Sequence, residues 1–215
     1  MCSSNENVGT HRASLLDLLK IRYSCRNFSA KPIPDDIIMY MLECGRLSAS
    51  GGNEQPWKFG VVTDRKLIGD IAEAASVNYC QKWVAEAPLL IVLCTKLFDA
   101  AYSSPEINLN RFPSMLERMK AIDRDLLEAI GMEEHQTKIP GEHMVIAALE
   151  HGVYSTWISS IDCERVGELI GINGCLVTNV IAFGYPAQLN KPTPKKELSA
   201  VTFINHFNNS GFNLK

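Results

Sequence analysis

The feature that most limits the fold is a short apolar run, APLLIVLC, from Ala87 to Cys94. It is far shorter than the roughly 20 residues that a membrane-spanning helix needs. Successive side chains of a strand point to opposite faces, so a strand apolar at every position is buried on both. The run therefore reads as a central strand of a sheet covered by helices on each side. A chain of 215 residues, 46% of them hydrophobic, is long enough to supply both covers in one domain.

The flanking sequence provides the helices. SLLDLLKI, Ser14 to Ile21, has leucines at helical spacing behind a serine cap. Pro34-Asp35-Asp36 reads as a helix start, with acids facing the positive end of the helix dipole. Ile37, Ile38, Met41, Leu42 and Gly45 then mark one apolar face, ending near Leu47. Arg65 to Ala75, Gly141 to His151 and Cys163 to Ile170 are further expected helices; Ala147 and Ala148 suit the second of them to close packing. Three more strands are expected at WKFGVVTD (from Trp57), VYSTWISS (from Val153) and LVTNVIAFGYP (from Leu176). The elements do not alternate as regular βαβ units. The expectation is an α+β fold with a mixed, mainly antiparallel sheet flanked by helices. From Phe98 to about Pro140 the character changes: a loop-like stretch leads into a strongly charged amphipathic helix carrying Met115, Met119, Ile122 and Leu126. It is expected to be an insertion or lid, at about residues 98–140, on a single domain of 1–215.

Composition excludes several functions. A net charge of −3 with no basic run gives no footprint for nucleic acid. The polar start, MCSSNENVGTHRAS, does not read as a secretory signal, so a cytoplasmic protein without membrane attachment is expected. Seven scattered cysteines, none in Cys-x-x-Cys, argue for reduced, mostly buried thiols. His143 and His151 lie eight apart without H-E-x-x-H spacing, so no metal site is expected. P-loop, Rossmann and G-x-S-x-G motifs are absent.

Three stretches carry chemistry. RYSCRNF places Arg22, Ser24 and Arg26 at alternating positions after a helix. Two guanidiniums and a hydroxyl can converge on one phosphate, because the arginine fork matches phosphate oxygens in pairs; alone, the run is equally a solvated basic turn. SASGGNEQPW, Ser48 to Trp57, joins glycines that allow close backbone approach to amides that offer both donor and acceptor. It suits the polar edge of a pyrimidine or flavin, and it equally suits a plain helix-to-strand loop. Lys195 and Lys196 follow two prolines as a second phosphate anchor or an exposed basic loop.

Taken in order, RYSCRNF, SASGGNEQPWKFGVVTD, STWISSID, IAFGYP and KPTPKKEL resemble the flavin-dependent nitroreductase family. The resemblance spans about Leu15 to Leu198, outside most of the lid. It implies a nitroreductase-like fold and an interlocked homodimer with FMN at the subunit interface. Arg22, Tyr23, Ser24 and Arg26 would hold the phosphate and ribityl chain, with Lys195 or Lys196 on the phosphate. Ser50, Gly51 and Asn53 would reach the partner's FMN, supported by Gln55, while Ile158, Ser159 and Ser160 would lie beside the isoalloxazine. The implied activity is ping-pong electron transfer from NADH or NADPH to a small-molecule acceptor such as a nitroaromatic or quinone. The same scaffold also serves reductive dehalogenases, flavin-cleaving enzymes and flavin-binding proteins without activity. Ala49, Ser159 and Tyr23 depart from the family's usual proline, glycine and arginine.

Overall fold

Strand β2 (Leu89–Lys96) is the centre of the molecule, and its alternation divides the core in two. Leu90, Val92 and Cys94 enter one hydrophobic cluster; Leu89, Ile91 and Leu93 enter the other. All six are at most 2% exposed, so neither face of the strand meets water. This is the two-sided burial that the apolar run demands.

The computed structural model describes residues 13–75, 81–96, 134–158, 160–203 and 205. Within them, in chain order, lie α1 (Leu15–Ile21), α2 (Asp35–Arg46), β1 (Trp57–Val62), α3 (Arg65–Ala74), β2, α4 (Glu134–Glu150), β3 (Tyr154–Ile158), α5 (Cys163–Leu169) and β4 (Cys175–Gly184). Short 3-10 turns occupy Gly51–Asn53, Lys82–Glu86 and Leu198–Ala200. The strands form one sheet in the order β1-β2-β4-β3, with all three pairings antiparallel. A parallel bridge from Ser24 to Ser155 adds the only mixed character among the described residues.

Helices α3 and α5 cover one face through Ile68, Ile71, Ala72 and Val166, joined there by Leu18, Tyr23, Cys25 and Phe28. Helices α2 and α4 cover the other through Ile38, Met41, Met144, Val145 and Ala148. The caps follow the sequence. Ser14 and Asp17 form a reciprocal capping box on α1, and Asp64 and Asp162 accept from the first turns of α3 and α5. Gly45 lets α2 approach α4, since a Cβ there would sit 2.2 Å from the Met144 methyl.

One boundary differs. The sequence places a helix start at Gly141, after Pro140; the helix begins instead at Glu134 and passes through the proline. Proline removes one backbone donor and one ladder bond. Packing outweighs that loss: Thr137, Pro140 and Gly141 are all buried, and the Thr137 hydroxyl lies 2.7 Å from that of Thr178. Residues 98–133 of the expected lid, like Cys2, Cys80 and Ser159, lie outside the described residues.

β4 carries a bulge opposite Leu93 and Cys94, which makes room for Thr178 to donate to the Leu93 carbonyl at 3.1 Å. Thr95 next to it on β2 is 2% exposed, and its hydroxyl has no hydrogen-bond partner among the described residues. A buried unpaired hydroxyl costs about 1–3 kcal/mol, and valine matches threonine in shape. Thr95→Val is therefore expected to raise the melting temperature by about 2–4 °C, the shift that about 1 kcal/mol gives a domain of this size. Calorimetry showing an unchanged or lower melting point would refute the orphaned hydroxyl.

Candidate functional site

The RYSCRNF segment leaves α1 in extended conformation, with Arg22 as the cap. It then runs beside β3: Cys25 N–H donates to the Ser155 carbonyl at 3.0 Å, and the Thr156 hydroxyl donates to the Cys25 carbonyl. Extended backbone sends alternate side chains to opposite sides. Tyr23 and Cys25 are buried at 6% and 1% exposure, whereas Ser24 and Arg26 are exposed and Arg22 is half-buried. The three phosphate-type groups therefore share the outer side.

Tyr23 turns inward. Its ring lies 4.8 Å from that of Tyr154, and its hydroxyl donates to the Gln188 carbonyl at 3.4 Å and accepts from Asn190 N–H at 3.2 Å. Burial pushes the Tyr23, Tyr154 and Cys25 side chains toward higher pKa, so all three stay neutral at physiological pH. Asn27 and Ser29 also pair with Ala187 and Tyr185. These bonds bring the arginine segment and the start of the 191–196 loop to one end of the sheet. Among the described residues neither Arg22 nor Arg26 has a carboxylate partner; Arg26 instead stands 5.8 Å over the Trp83 ring. Lys195 and Lys196 are exposed on their loop.

The glycine-amide loop lies at the other end. It enters β1 at Trp57, which pairs with Thr95, which in turn pairs with Leu176; Ser24 instead bridges Ser155, the partner of Phe183. The seven residue steps from Leu176 to Phe183 span roughly 23 Å along the strand, and the three strand spacings from β1 to β3 add about 14 Å across the sheet. One mononucleotide does not bridge that separation within a single chain.

The loop itself is held open. Gly52, Asn53 and Gln55 have φ of 57°, 58° and 51°, a left-handed conformation that glycine adopts freely and asparagine tolerates but that is unfavourable for glutamine. Ser50 Oγ accepts from Gln55 N–H at 2.9 Å, and the Gln55 side chain donates to the Asn53 carbonyl at 3.2 Å. Gln55 thus supports the loop from within while Gly51, Gly52 and Asn53 stay exposed.

Ile158 closes β3 with a buried side chain, leaving only its backbone for a ligand. The Ser160 carbonyl accepts from Gln81 Nε2 at 2.7 Å. Ser159, between them, is outside the described residues.

Sequence reasoning missed several of these contacts. Gln81 is one, the Thr156 hydroxyl another. Ser48 Oγ, hydrogen-bonded at 2.7 Å to His143 Nδ1, ties the start of the loop to α4. No local pattern signals a pair 95 positions apart. His151 packs its edge on Tyr40 instead, so the two histidines serve separate contacts, and no metal-type cluster occurs among the described residues. Among the described residues, Cys25, Cys44, Cys94, Cys163 and Cys175 form no disulfide. Burial pushes the Cys94 thiol up to about 12, which leaves it inert. No described helix is long and apolar enough to cross a membrane.

The donor set at the basic end contains two guanidiniums and a hydroxyl with no carboxylate partner among the described residues, a chemistry that suits an anion such as a phosphate. The fold that carries this segment is α+β, a four-stranded antiparallel sheet covered by helices on both faces. The nitroreductase family model matches residues 19–185. An NADH dehydrogenase of Thermus thermophilus is 27% identical over 84% of this chain and 90% of its own. An oxygen-insensitive NADPH nitroreductase of Helicobacter acinonychis is 26% identical over 87% and 95%. In fold, the chain is similar to the NADPH:FMN oxidoreductase of Vibrio harveyi solved with NAD+, at a TM-score of 0.68, 21% identity and coverage of 90% and 77%. The chain belongs to the nitroreductase family and is an oxidoreductase of that family.

Proposed function

We propose that this chain is an NAD(P)H-dependent oxidoreductase that holds FMN at a homodimer interface and reduces a nitroaromatic, quinone or similar small acceptor. The observation that carries the reading is the basic segment of Arg22, Ser24 and Arg26, which meets no carboxylate among the described residues and is tied through Tyr23 to the loop bearing Lys195 and Lys196. When bound, FMN supplies the redox chemistry, taking reducing equivalents from the nicotinamide and releasing them to the acceptor.

The protein's part is to bind and orient. Arg22, Ser24 and Arg26, with Lys195 or Lys196, would hold the phosphate end. Tyr23 contributes from below, by fixing the backbone between the arginines. Ile158, Ser159 and Ser160 would offer backbone groups to the ring edge. Ser50, Gly51 and Asn53 would serve the partner's cofactor, with Gln55 bracing them; the separation of the two sheet ends supports this crossing. Exposed Leu15 (58%), Leu16 (60%) and Leu19 (41%) on α1 support a partner surface. The nicotinamide and the acceptor would use one place in turn, shaped by the part of the expected lid that precedes α4, residues 98–133. The names of the Thermus and Helicobacter relatives support NADH or NADPH as the reductant.

The test is anaerobic. Protein loaded with FMN is expected to sediment as a dimer, bleach when NADH or NADPH is added, and regain its colour with one of a panel of nitroaromatics and quinones. A flavin-loaded monomer would overturn the shared site. Flavin that stays oxidised with both nucleotides would make the protein a flavin binder without this activity.

A further inference from the structure

The 3-10 turn at Lys82–Glu86, with Gln81 as its cap, lies outside every motif that carries the family resemblance. It nevertheless touches two of the segments assigned to the cofactor. Gln81 Nε2 donates to the Ser160 carbonyl at 2.7 Å and to the Ala75 carbonyl at 2.8 Å, which uses both of its hydrogens. Two residues on, the Trp83 ring lies 5.8 Å beneath the Arg26 guanidinium. Trp83 also packs on Phe28, at 6.5 Å between ring centroids.

The turn is fixed where it sits. Arg65, at the start of α3, donates to the Ala85 carbonyl at 2.6 Å and the Ala87 carbonyl at 2.8 Å. Val84 is fully buried, and Val84 and Ala87 N–H groups close the turn onto Gln81 and Val84 carbonyls. Such a turn can hold two flexible groups at a set spacing.

We propose that the 81–86 turn positions the cofactor site: Trp83 holds the Arg26 guanidinium by a cation–π contact, and Gln81 sets the direction of the Ser160 peptide. This rests on the FMN reading above. A trans peptide points its C=O and N–H in opposite directions. Holding the Ser160 carbonyl toward Gln81 therefore turns the Ile161 N–H away from the turn; among the described residues that N–H has no acceptor. Stacking on Trp83 limits the rotamers open to a long exposed side chain, so less ordering remains when Arg26 meets an anion. Both residues are positioning residues.

The experiment measures FMN affinity by flavin fluorescence quenching on the full chain, with thermal melts and the visible spectrum of bound flavin as parallel readouts. Trp83→Leu is expected to weaken FMN about 3- to 10-fold, the range of a partly exposed cation–π contact. Trp83→Phe should recover most of that loss. In an Arg26→Ala background, Trp83→Leu should add nothing, because its effect runs through Arg26. Gln81→Ala should shift the visible bands and the midpoint potential of bound FMN. Independent, multiplying effects of Trp83→Leu and Arg26→Ala would overturn the Trp83 role. Variants that melt earlier yet bind FMN with wild-type affinity and spectrum would make the turn structural only. Those results fail this proposal alone; a wild-type chain that binds no FMN fails the underlying reading as well.

Discussion

Replacing Arg22 and Arg26 together with alanine is expected to lower FMN affinity by about 100-fold or more while the fold survives. Each guanidinium offers a charge-assisted hydrogen bond worth about 1.5–3 kcal/mol. Two lost together amount to about 3–6 kcal/mol, and about 1.4 kcal/mol is tenfold. Partial exposure of both side chains argues for the lower end of that range. Neither arginine forms an ion pair with a described residue, and their inward neighbours Tyr23 and Cys25 carry the local packing. The melting temperature of the apoprotein should therefore move little. The lysine pair Arg22→Lys with Arg26→Lys keeps the charge but loses the planar fork, and should fall between wild type and the alanine variant. Affinity measured by fluorescence titration decides it. Wild-type FMN binding in the double alanine variant would remove the phosphate role from this segment.

The inward turn of Tyr23 was legible in the same heptapeptide. In RYSCRNF the polar and charged residues stand at 22, 24 and 26, with tyrosine and cysteine between them. That is a period of two, the signature of a half-buried extended segment. Read that way, Tyr23 belongs to the core side and not to the ligand side. The central strand was legible for the same reason, since an unbroken apolar run leaves a strand no polar face. The caps of α1, α3 and α5 were equally local, each set by a side chain within three residues of the group it satisfies.

What stayed hidden depends on partners distant in sequence. Gln81 meets Ser160 across 79 positions, and Ser48 meets His143 across 95. A glutamine, serine or histidine carries no mark of which distant carbonyl or ring it will face. Pro140 misled for a related reason. Its local rule is to end a helix, and burial against the sheet overrides that rule. The left-handed conformation of Asn53 was consistent with its sequence, because asparagine tolerates it. That of Gln55 was not, and it persists only because Ser50 and the Asn53 carbonyl both bind it.

The residue after that proline carries the other large effect. A Cβ on Gly141 would lie 2.4 Å from Cη2 and 3.0 Å from Cζ2 of Trp157, and 2.8 Å from Cδ1 of Leu93. Leu93 is fully buried in the central strand, and Trp157 is fixed by β3 on one side and by an Nε1–H bond to Glu142, at 3.3 Å, on the other. An indole ring cannot swing aside as the Met144 methyl beside Gly45 can. Gly141→Ala would ordinarily gain from better helix propensity, by about 1 kcal/mol. Overpacking of this kind costs about 1–3 kcal/mol and more where neighbours are rigid, so the clash wins. The expected result is a melting temperature lower by about 2–8 °C at the 2–4 °C per kcal/mol typical of this size. Gly45→Ala should cost less. The displacement also has a direction: Trp157 immediately precedes Ile158, so pushing the indole shifts the strand end that would meet the cofactor. Gly141→Ala should therefore weaken FMN binding as well as stability, whereas a purely structural glycine would lower the melting point and leave the affinity of the folded fraction unchanged.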